Sequence, residues 1–330
     1  MGTDNVILYA KWINPIASWS LRSPLTNELN NIAFGNGVFS AVGNSGVIVS
    51  SGDGTLWTKQ TSGTAKLLYG ITGGEGKFVA VGASGAVLTS DDNATWISQT
   101  SGTSKNLHDV IFANGMFMSV GVSGTIISSS NGDSWSSVTS GSTYNRTGIA
   151  YGNVLFVSVG YLDIVTSTNG TNWTTYASPA YLYGIAYGNG MFVAVGTSGG
   201  IYSSANGAIW KKQTSNTQNT LNGIAYGNGF FVAVGNSGTI LTSSNGADWT
   251  AQTSSITNHL YGVTYGNDKF VAVGMSGAVV YSDDGVDWTV TDTGEKYTLR
   301  AVAYGMGKYV AVGLSFNTAG VIFISEEVFV

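Results

Sequence analysis

Eight residues at equivalent places along the chain carry side chains that could bind a polar ligand. Each follows the first residue of a short apolar segment, and these segments recur about every 39 residues. Amide, phenol, imidazole and guanidinium groups gathered at one rim could hold such a ligand by hydrogen bonding and aromatic stacking. The alternative interpretation is that they are tolerated residues at the wet start of a strand. They are Asn30, Tyr69, His108, Thr147, Tyr183, Asn222, Tyr261 and Arg300.

Two irregularities in the recurring pattern predict further binding residues. In the fourth segment one loop is a residue shorter and the next linker is two residues shorter, which draws Asp163 and four tyrosines, among them Tyr161 and Tyr181, towards one seam. In the eighth segment a loop is four residues longer and contains Phe316, beside a linker that contains Tyr297. Aromatic groups beside polar groups suit sugars, and function is often placed on irregular loops. The alternative interpretation is that these loops have drifted in sequence and length without any function, because the copies need not be identical.

A tandem repeat must position these residues. Val-Gly pairs recur at Val42, Val81, Val120, Val159, Val195, Val234, Val273 and Val312. Self-similarity at this period predicts one small supersecondary unit copied along the chain, as in a propeller or a solenoid. A tryptophan keeps the same spacing, at Trp19, Trp57, Trp96, Trp135, Trp173, Trp210, Trp249 and Trp288.

Residues 221–254 show what the unit is. A β-prone run begins at Leu221, Asn-Gly at 228–229 predicts a tight hairpin, and the apolar run 230–234 predicts a strand buried on both faces. Two more short strands follow at 239–243 and 249–252. Four short antiparallel strands per unit predict a propeller blade and an all-β fold.

The repeat count predicts a single eight-bladed β-propeller of four-stranded antiparallel blades. The eighth copy ends at Val330 without a tryptophan strand of its own, and Trp19 could supply it. The N-terminal strand is therefore expected to close the last blade and to leave no open sheet edge. Residues 1–14 are then an N-terminal remnant or linker, and residues 15–330 form the propeller. Seven blades, with one terminal copy packed outside, is the alternative. The copies begin at Leu29, Leu68, Leu107, Arg146, Leu182, Leu221, Leu260 and Leu299.

The segments before the tryptophans, such as Ser-Ser-Asn-Gly-Ala-Asp-Trp at 243–249 and Ser-Asp-Asp-Gly-Val-Asp-Trp at 282–288, share a pattern. They resemble the Asp-box turn, S-x-D-x-G-x-x-W, of bacterial-neuraminidase-type (BNR) repeats. The more regular acid or amide lies four residues before the tryptophan, where the family has it five before. The chain thus resembles a degenerate relative of this family, similar to the Gly/Asn-rich propellers of bacterial surface proteins and to the photosystem II assembly-factor-like propellers. The resemblance implies that these turns are structural and lie at the blade periphery.

Residues 5–12, Asn-Val-Ile-Leu-Tyr-Ala-Lys-Trp, resemble the closing strand of a Listeria–Bacteroides repeat, a module of bacterial surface proteins. The resemblance implies that the chain is the propeller portion of a longer secreted or cell-surface bacterial protein. A Ser/Thr/Asn-rich composition without cysteine agrees with export. We expect a monomer.

Composition limits the chemistry further. Charged residues make up 9% of the chain, the net charge is −5, and there are two histidines and no cysteine. The lack of a basic patch predicts no nucleic-acid partner, and no apolar run is long enough for membrane insertion. We expect neither a metal site nor a cofactor.

These observations favour a non-enzymatic extracellular binding or scaffold module, for a glycan or a surface protein. A sialidase-like glycoside hydrolase is the second hypothesis, although a sialidase needs an arginine triad and the chain has three arginines in all. A glycosidase needs paired carboxylates across a cleft. A structural spacer without a ligand is the third hypothesis. The acids that could serve a hydrolase on an inner surface are Asp109, Asp163 and Asp268.

Overall fold

The computed structural model describes residues 16–22, 27–293, 296–315 and 319–327. Within these ranges the chain is all-β, as predicted, and its only helical elements are six three-residue 3-10 turns. The turns are Asn44–Gly46, Ala83–Gly85, Val122–Gly124, Thr197–Gly199, Asn236–Gly238 and Met275–Gly277. The strands are β1 (Ile16–Leu21), β2 (Leu29–Gly35), β3 (Val38–Gly43), β4 (Ile48–Ser51), β5 (Thr58–Gln60), β6 (Leu68–Gly74), β7 (Lys77–Gly82), β8 (Val87–Ser90), β9 (Ile97–Ser98), β10 (Leu107–Ala113), β11 (Met116–Gly121), β12 (Ile126–Ser129), β13 (Ser136–Val138), β14 (Arg146–Gly152), β15 (Leu155–Ser167), β16 (Thr174–Gly188), β17 (Met191–Gly196), β18 (Ile201–Ser204), β19 (Lys211–Gln213), β20 (Leu221–Gly227), β21 (Phe230–Gly235), β22 (Ile240–Ser243), β23 (Thr250–Gln252), β24 (Leu260–Gly266), β25 (Lys269–Gly274), β26 (Ala278–Ser282), β27 (Thr289–Asp292), β28 (Thr298–Gly305), β29 (Lys308–Leu314) and β30 (Gly320–Glu327).

The described strands form seven antiparallel sheets, of which six have four strands. The seventh has six strands, in the order β14-β15-β16-β17-β18-β19, and contains copies four and five. In this sheet β15 covers the second and third strands of copy four. Strand β16 covers the last strand of copy four and the first strand of copy five. The two copies therefore share one continuous strand.

The first strands of successive copies contact one another in chain order. Strand β2 contacts β6, and the series continues through β10, β14, β16, β20, β24 and β28, which contacts β2 again. Hydrophobic clusters fill the spaces between neighbouring copies. One cluster joins Val193 and Val195 of copy five to Phe231, Leu241 and Trp249 of copy six. The second strands are buried on both faces, as their apolar sequences predict.

The N-terminal strand completes the sheet that holds the C-terminal strand. Strand β1 pairs antiparallel with β30, with Trp19 opposite Ser325 and Leu21 opposite Phe323. Trp19 is buried in a cluster that also contains Phe323 and Tyr281. The predicted closure by the N-terminal strand is confirmed.

The Asp-box-like turns have a structural role. In copy six the Asn245 side-chain carbonyl accepts the backbone N–H groups of Ala247 and Asp248, both at 2.9 Å, and the Ser243 hydroxyl donates to it at 3.1 Å. The indole N–H of Trp249 donates to the Gly246 carbonyl. In copy one, donation from Thr55 and Leu56 lowers the pKa of Asp53 well below its usual range. The side-chain oxygen four residues before the tryptophan thus organises the turn.

A glycine ends most of the first strands because an aromatic ring of the next copy lies against it. A Cβ atom on Gly188 would lie 2.1 Å from the Tyr226 ring of copy six, and one on Gly227 would lie 2.0 Å from the Tyr265 ring of copy seven. Each of these rings also packs on a phenylalanine of its own copy, with Tyr226 and Phe231 centroids 4.7 Å apart. The close approach of neighbouring copies therefore requires glycine at these positions.

Across the described residues no helix is long and apolar enough to cross a membrane.

Candidate functional site on the linker face

The antiparallel blades give the molecule two faces. The linkers between copies and the loops between second and third strands lie at one end of the strands, which we call the linker face. Both hairpin turns of each copy lie at the other end, which we call the turn face. The polar residues predicted from the first strands, and the irregular segment of copy four, lie at the linker face.

Half of the predicted polar residues bond the next copy. In each case the side chain meets the backbone carbonyl of the first residue of the following copy. These polar groups therefore join neighbouring copies, a role that the sequence analysis did not foresee. The four bonds are Asn30 to the Leu68 carbonyl at 2.9 Å, His108 to the Arg146 carbonyl at 2.9 Å, Thr147 to the Leu182 carbonyl at 2.6 Å, and Asn222 to the Leu260 carbonyl at 2.8 Å.

Other predicted residues of this set also contact neighbours. The Tyr69 ring meets the His108 ring edge-on, with centroids 5.5 Å apart. The Arg300 guanidinium donates to the Asn30 side-chain carbonyl, and it pairs with Glu28 at 3.2 Å. This pair links copy eight to copy one. Tyr261 is half-buried. These contacts join neighbouring copies, and ligand binding by this set of residues stays a prediction.

Three tyrosines at the seam between copies four and five do come together. Tyr161 and Tyr181 lie opposite each other across β15 and β16, with ring centroids 4.7 Å apart and ring planes 35° apart. Tyr181 is 44% exposed. Burial raises the pKa of the Tyr183 phenol, and the neighbouring phenols of Tyr161 and Tyr181 raise it further. We call Tyr161, Tyr181 and Tyr183 the tyrosine patch.

Asp163 was predicted to join this patch as a ligand-binding group, but the structure buries it. It is 4% exposed and pairs with the fully buried guanidinium of Arg146. Burial lowers the pKa of Arg146 to about 10, so its guanidinium remains charged at neutral pH. The Asp163 carboxylate is therefore bonded inside the protein and has little surface left for a ligand. Arg146 was missed as part of this region, although it is the single copy-initial residue that is not leucine.

The binding residues predicted in copy eight are not brought together in the described part of the chain. The Tyr297 ring packs on the buried Phe323, with centroids 5.8 Å apart. Phe316 lies outside the described residues. The prediction of an aromatic platform in this loop stays a prediction.

The three inner acids considered for a hydrolase are each engaged elsewhere. Asp109 accepts the backbone N–H of Ile149 at 3.0 Å between copies three and four, and burial raises the pKa of its carboxyl to about 6. Asp163 pairs with Arg146. Asp268 accepts the Tyr265 hydroxyl at 3.2 Å on the turn face. Among the described residues, no three His, Asp or Glu side chains are placed to hold a metal ion.

Comparison with known proteins identifies the class of fold. No family model and no curated protein matches this sequence. A structure of YCF48 bound to D1 peptide is similar over 98% of this chain and 99% of that one, with a TM-score of 0.64 at 14% identity. The computationally designed Ika8 protein has a TM-score of 0.76 at 11% identity, covering 94% of this chain and 99% of that one. The WD40 β-propeller domain of Doa1 has a TM-score of 0.61 at 13% identity, covering 94% and 98%.

These likenesses and the circular contact order of the first strands define the chain as a β-propeller. The identities are too low to carry more than the fold.

Proposed function

We propose that this chain is a non-enzymatic binding or scaffold module that holds its partner at the tyrosine patch on the linker face. The contact between the Tyr161 and Tyr181 rings carries the proposal. Tyrosines present apolar area and a hydroxyl with little conformational entropy to lose, and they are enriched at binding surfaces for that reason. The patch also lies where the repeat is broken, and function is commonly grafted on such places.

The wheel that presents the patch is proposed to have eight blades. The support is the closed order of eight first strands, from β2 to β28 and back to β2. Counting sheets gives seven, because copies four and five share β16. In this interpretation the six-stranded sheet is two blades joined through one strand. A seven-bladed wheel is the alternative, in which that sheet is a single unit.

The ligand class proposed first is a glycan, on an extracellular protein. Phenol rings bearing hydroxyl groups can stack on sugar faces and hydrogen-bond their hydroxyls. The chain is poor in charge, which suits a neutral ligand. Placement outside the cell rests on composition and on the sequence resemblance to bacterial surface modules.

A peptide is the second candidate ligand, favoured by one observation. The YCF48 structure that shares this fold has a D1 peptide bound. Aromatic grooves also bind extended peptides. A hydrolase is disfavoured because the carboxylates of Asp109, Asp163 and Asp268 are each bonded within the protein.

The test is a screen of the intact chain on a glycan array and on a peptide array. Tyr181→Ala and Tyr183→Ala are expected to weaken any signal at least tenfold, because each removes a ring of the patch. Tyr261→Ala, which changes the equivalent of Tyr183 in copy seven, is the matched control and should keep the signal. Silence on both arrays, or a signal that Tyr181→Ala leaves intact, would refute the proposal. A signal on the peptide array alone would select the second candidate.

A further inference from the structure

Copy four replaces a loop that six other copies keep. In those six, a 3-10 turn with a serine at positive φ joins the second and third strands, as at Ser237 with φ 54°. In copy four the chain runs on as the single strand β15, and its bulge places Leu162 at φ 64°. The loop that elsewhere separates two strands is thus absent here, and Tyr161 occupies the first position of the shortened segment.

The same copy replaces its initial leucine by Arg146, whose side chain is fully buried. Its Nε donates to the Tyr144 carbonyl at 3.3 Å, and one terminal nitrogen donates to the Asp163 carbonyl at 3.3 Å. The other terminal nitrogen pairs with the Asp163 carboxylate. The guanidinium therefore binds the linker before β14 and the bulge of β15 together.

These contacts reach the tyrosine patch directly. The Tyr161 backbone N–H donates to the carbonyl of Asn145, the neighbour of Arg146, at 3.0 Å. Asp163 lies opposite Ala177 on β16, and Tyr161 lies opposite Tyr181 on the same strand. The ion pair thus joins β14 to the bulge of β15, and the ring pair joins the same bulge to β16.

We propose that Arg146 and Asp163 are positioning residues, and that their ion pair fixes the bulge of β15 in the arrangement that brings the Tyr161 and Tyr181 rings together. The proposal rests on the proposed function for its biological meaning, but not for its test. Stability alone does not account for the pair. Replacing a buried ion pair with apolar residues is often neutral, and the other copies use leucine at this place. The planar guanidinium supplies several donors in fixed directions, which leucine cannot.

The test compares Asp163→Asn, Arg146→Leu and the double variant Arg146→Leu/Asp163→Thr. The double variant restores residue types that copy six has at the equivalent places, Leu221 and Thr239. Two quantities are measured without any ligand: the melting temperature, and hydrogen–deuterium exchange well below it. Peptides covering 155–167 and 174–188 report on the patch, and a peptide covering 230–243 of copy six is the internal control.

Each single variant is expected to melt earlier, because it leaves a buried charge without its partner. The double variant is expected to melt close to wild type while the amides around Tyr161 and Tyr181 exchange at least tenfold faster, with the copy-six peptide unchanged. Wild-type exchange at the patch in the double variant would show that the pair is merely structural and would overturn the proposal. So would faster exchange spread evenly over all copies. Because no ligand is used, failure of the array screen would leave this result unaffected.

Discussion

At the residue scale, one side-chain oxygen organises the turn before each tryptophan. In copy five this is the Asn206 carbonyl, which accepts the N–H groups of Ala208 and Ile209, both at 3.0 Å. Asn206→Ala removes this acceptor and should cost about 1 kcal/mol in the free energy of unfolding. Asn206→Asp keeps it, as Asp53 does in copy one, and should stay within about 0.5 kcal/mol of wild type. Denaturant unfolding of both variants measures the difference, and equal losses would contradict this account.

A second residue-scale prediction concerns pH. Burial raises the pKa of Asp109 in the folded chain to about 6, against about 3.9 for an unfolded aspartate. The carboxyl is protonated in both states at low pH. As pH rises from about 4 to about 6, the unfolded chain ionises first, so the native state loses stability.

Asp109→Asn should therefore be more stable than wild type by about 2 kcal/mol at about pH 7.5, and should match it at about pH 3. Asparagine already stands at the equivalent place of copy one, as Asn31. Unfolding by denaturant at both pH values checks this. A variant that is less stable than wild type at the higher pH would contradict the burial of an ionised Asp109.

Residue types alone located the tyrosine patch only in part. The shortened segments of copy four predicted that Tyr161, Tyr181 and Tyr183 lie near one seam, and the structure places them together; ligand binding by them stays a prediction. The same shortened segments predicted Asp163 as a ligand-binding residue. Sequence spacing cannot show whether a side chain at a bulge points to the surface or to the interior, and that of Asp163 points to the interior. The bonds that Asn30, His108 and Asn222 make to the next copy were not predicted from the sequence, and ligand binding by these residues stays a prediction. Such contacts depend on how neighbouring copies are oriented towards each other, which the sequence of one repeat does not show.

At the element scale, the first strand of one copy packs on the next copy through a glycine. Gly188→Ala should cost about 3 kcal/mol, because its methyl group would enter the Tyr226 ring. Gly190→Ala is the matched control, since Gly190 has φ +73° and open space around it. Its cost should be about 1 kcal/mol, from backbone strain alone. Thermal unfolding of the two variants tests the ranking, and the reverse order would refute the packing argument.

Most strands could be predicted because apolar runs mark them in every copy, and Asn-Gly turns and tryptophans mark them in most copies. The exceptions are β15, which was expected as two strands with a loop between them, and β16, which was expected as two strands with a linker between them. Because the linker after copy four is two residues shorter, the chain has too few residues to loop out of the sheet, and β16 continues through it. Neighbouring copies then pair into one six-stranded sheet.

At the scale of the whole molecule, β1 closes the wheel. Deleting residues 1–22 would expose the edge of β30 and remove Trp19 from its cluster with Phe323. The melting temperature should fall by roughly 10 °C, and the open edge should promote association. Deleting residues 1–14 is the control and should change neither quantity. Calorimetry with size-exclusion chromatography measures both, and a chain starting at residue 23 that melts like wild type would contradict the closure.

The proposed function places the partner-binding surface on copy four, where the repeat is broken. The most direct measurement rebuilds that copy on the pattern of copy six, by Arg146→Leu together with replacement of residues 161–163 by the Asn-Ser-Gly-Thr of residues 236–239. The rebuilt chain and the wild type are screened side by side on the same glycan and peptide arrays. We expect the rebuilt chain to fold and melt like wild type and to lose the wild-type signals. A rebuilt chain with an unchanged binding profile would show that the partner surface lies elsewhere.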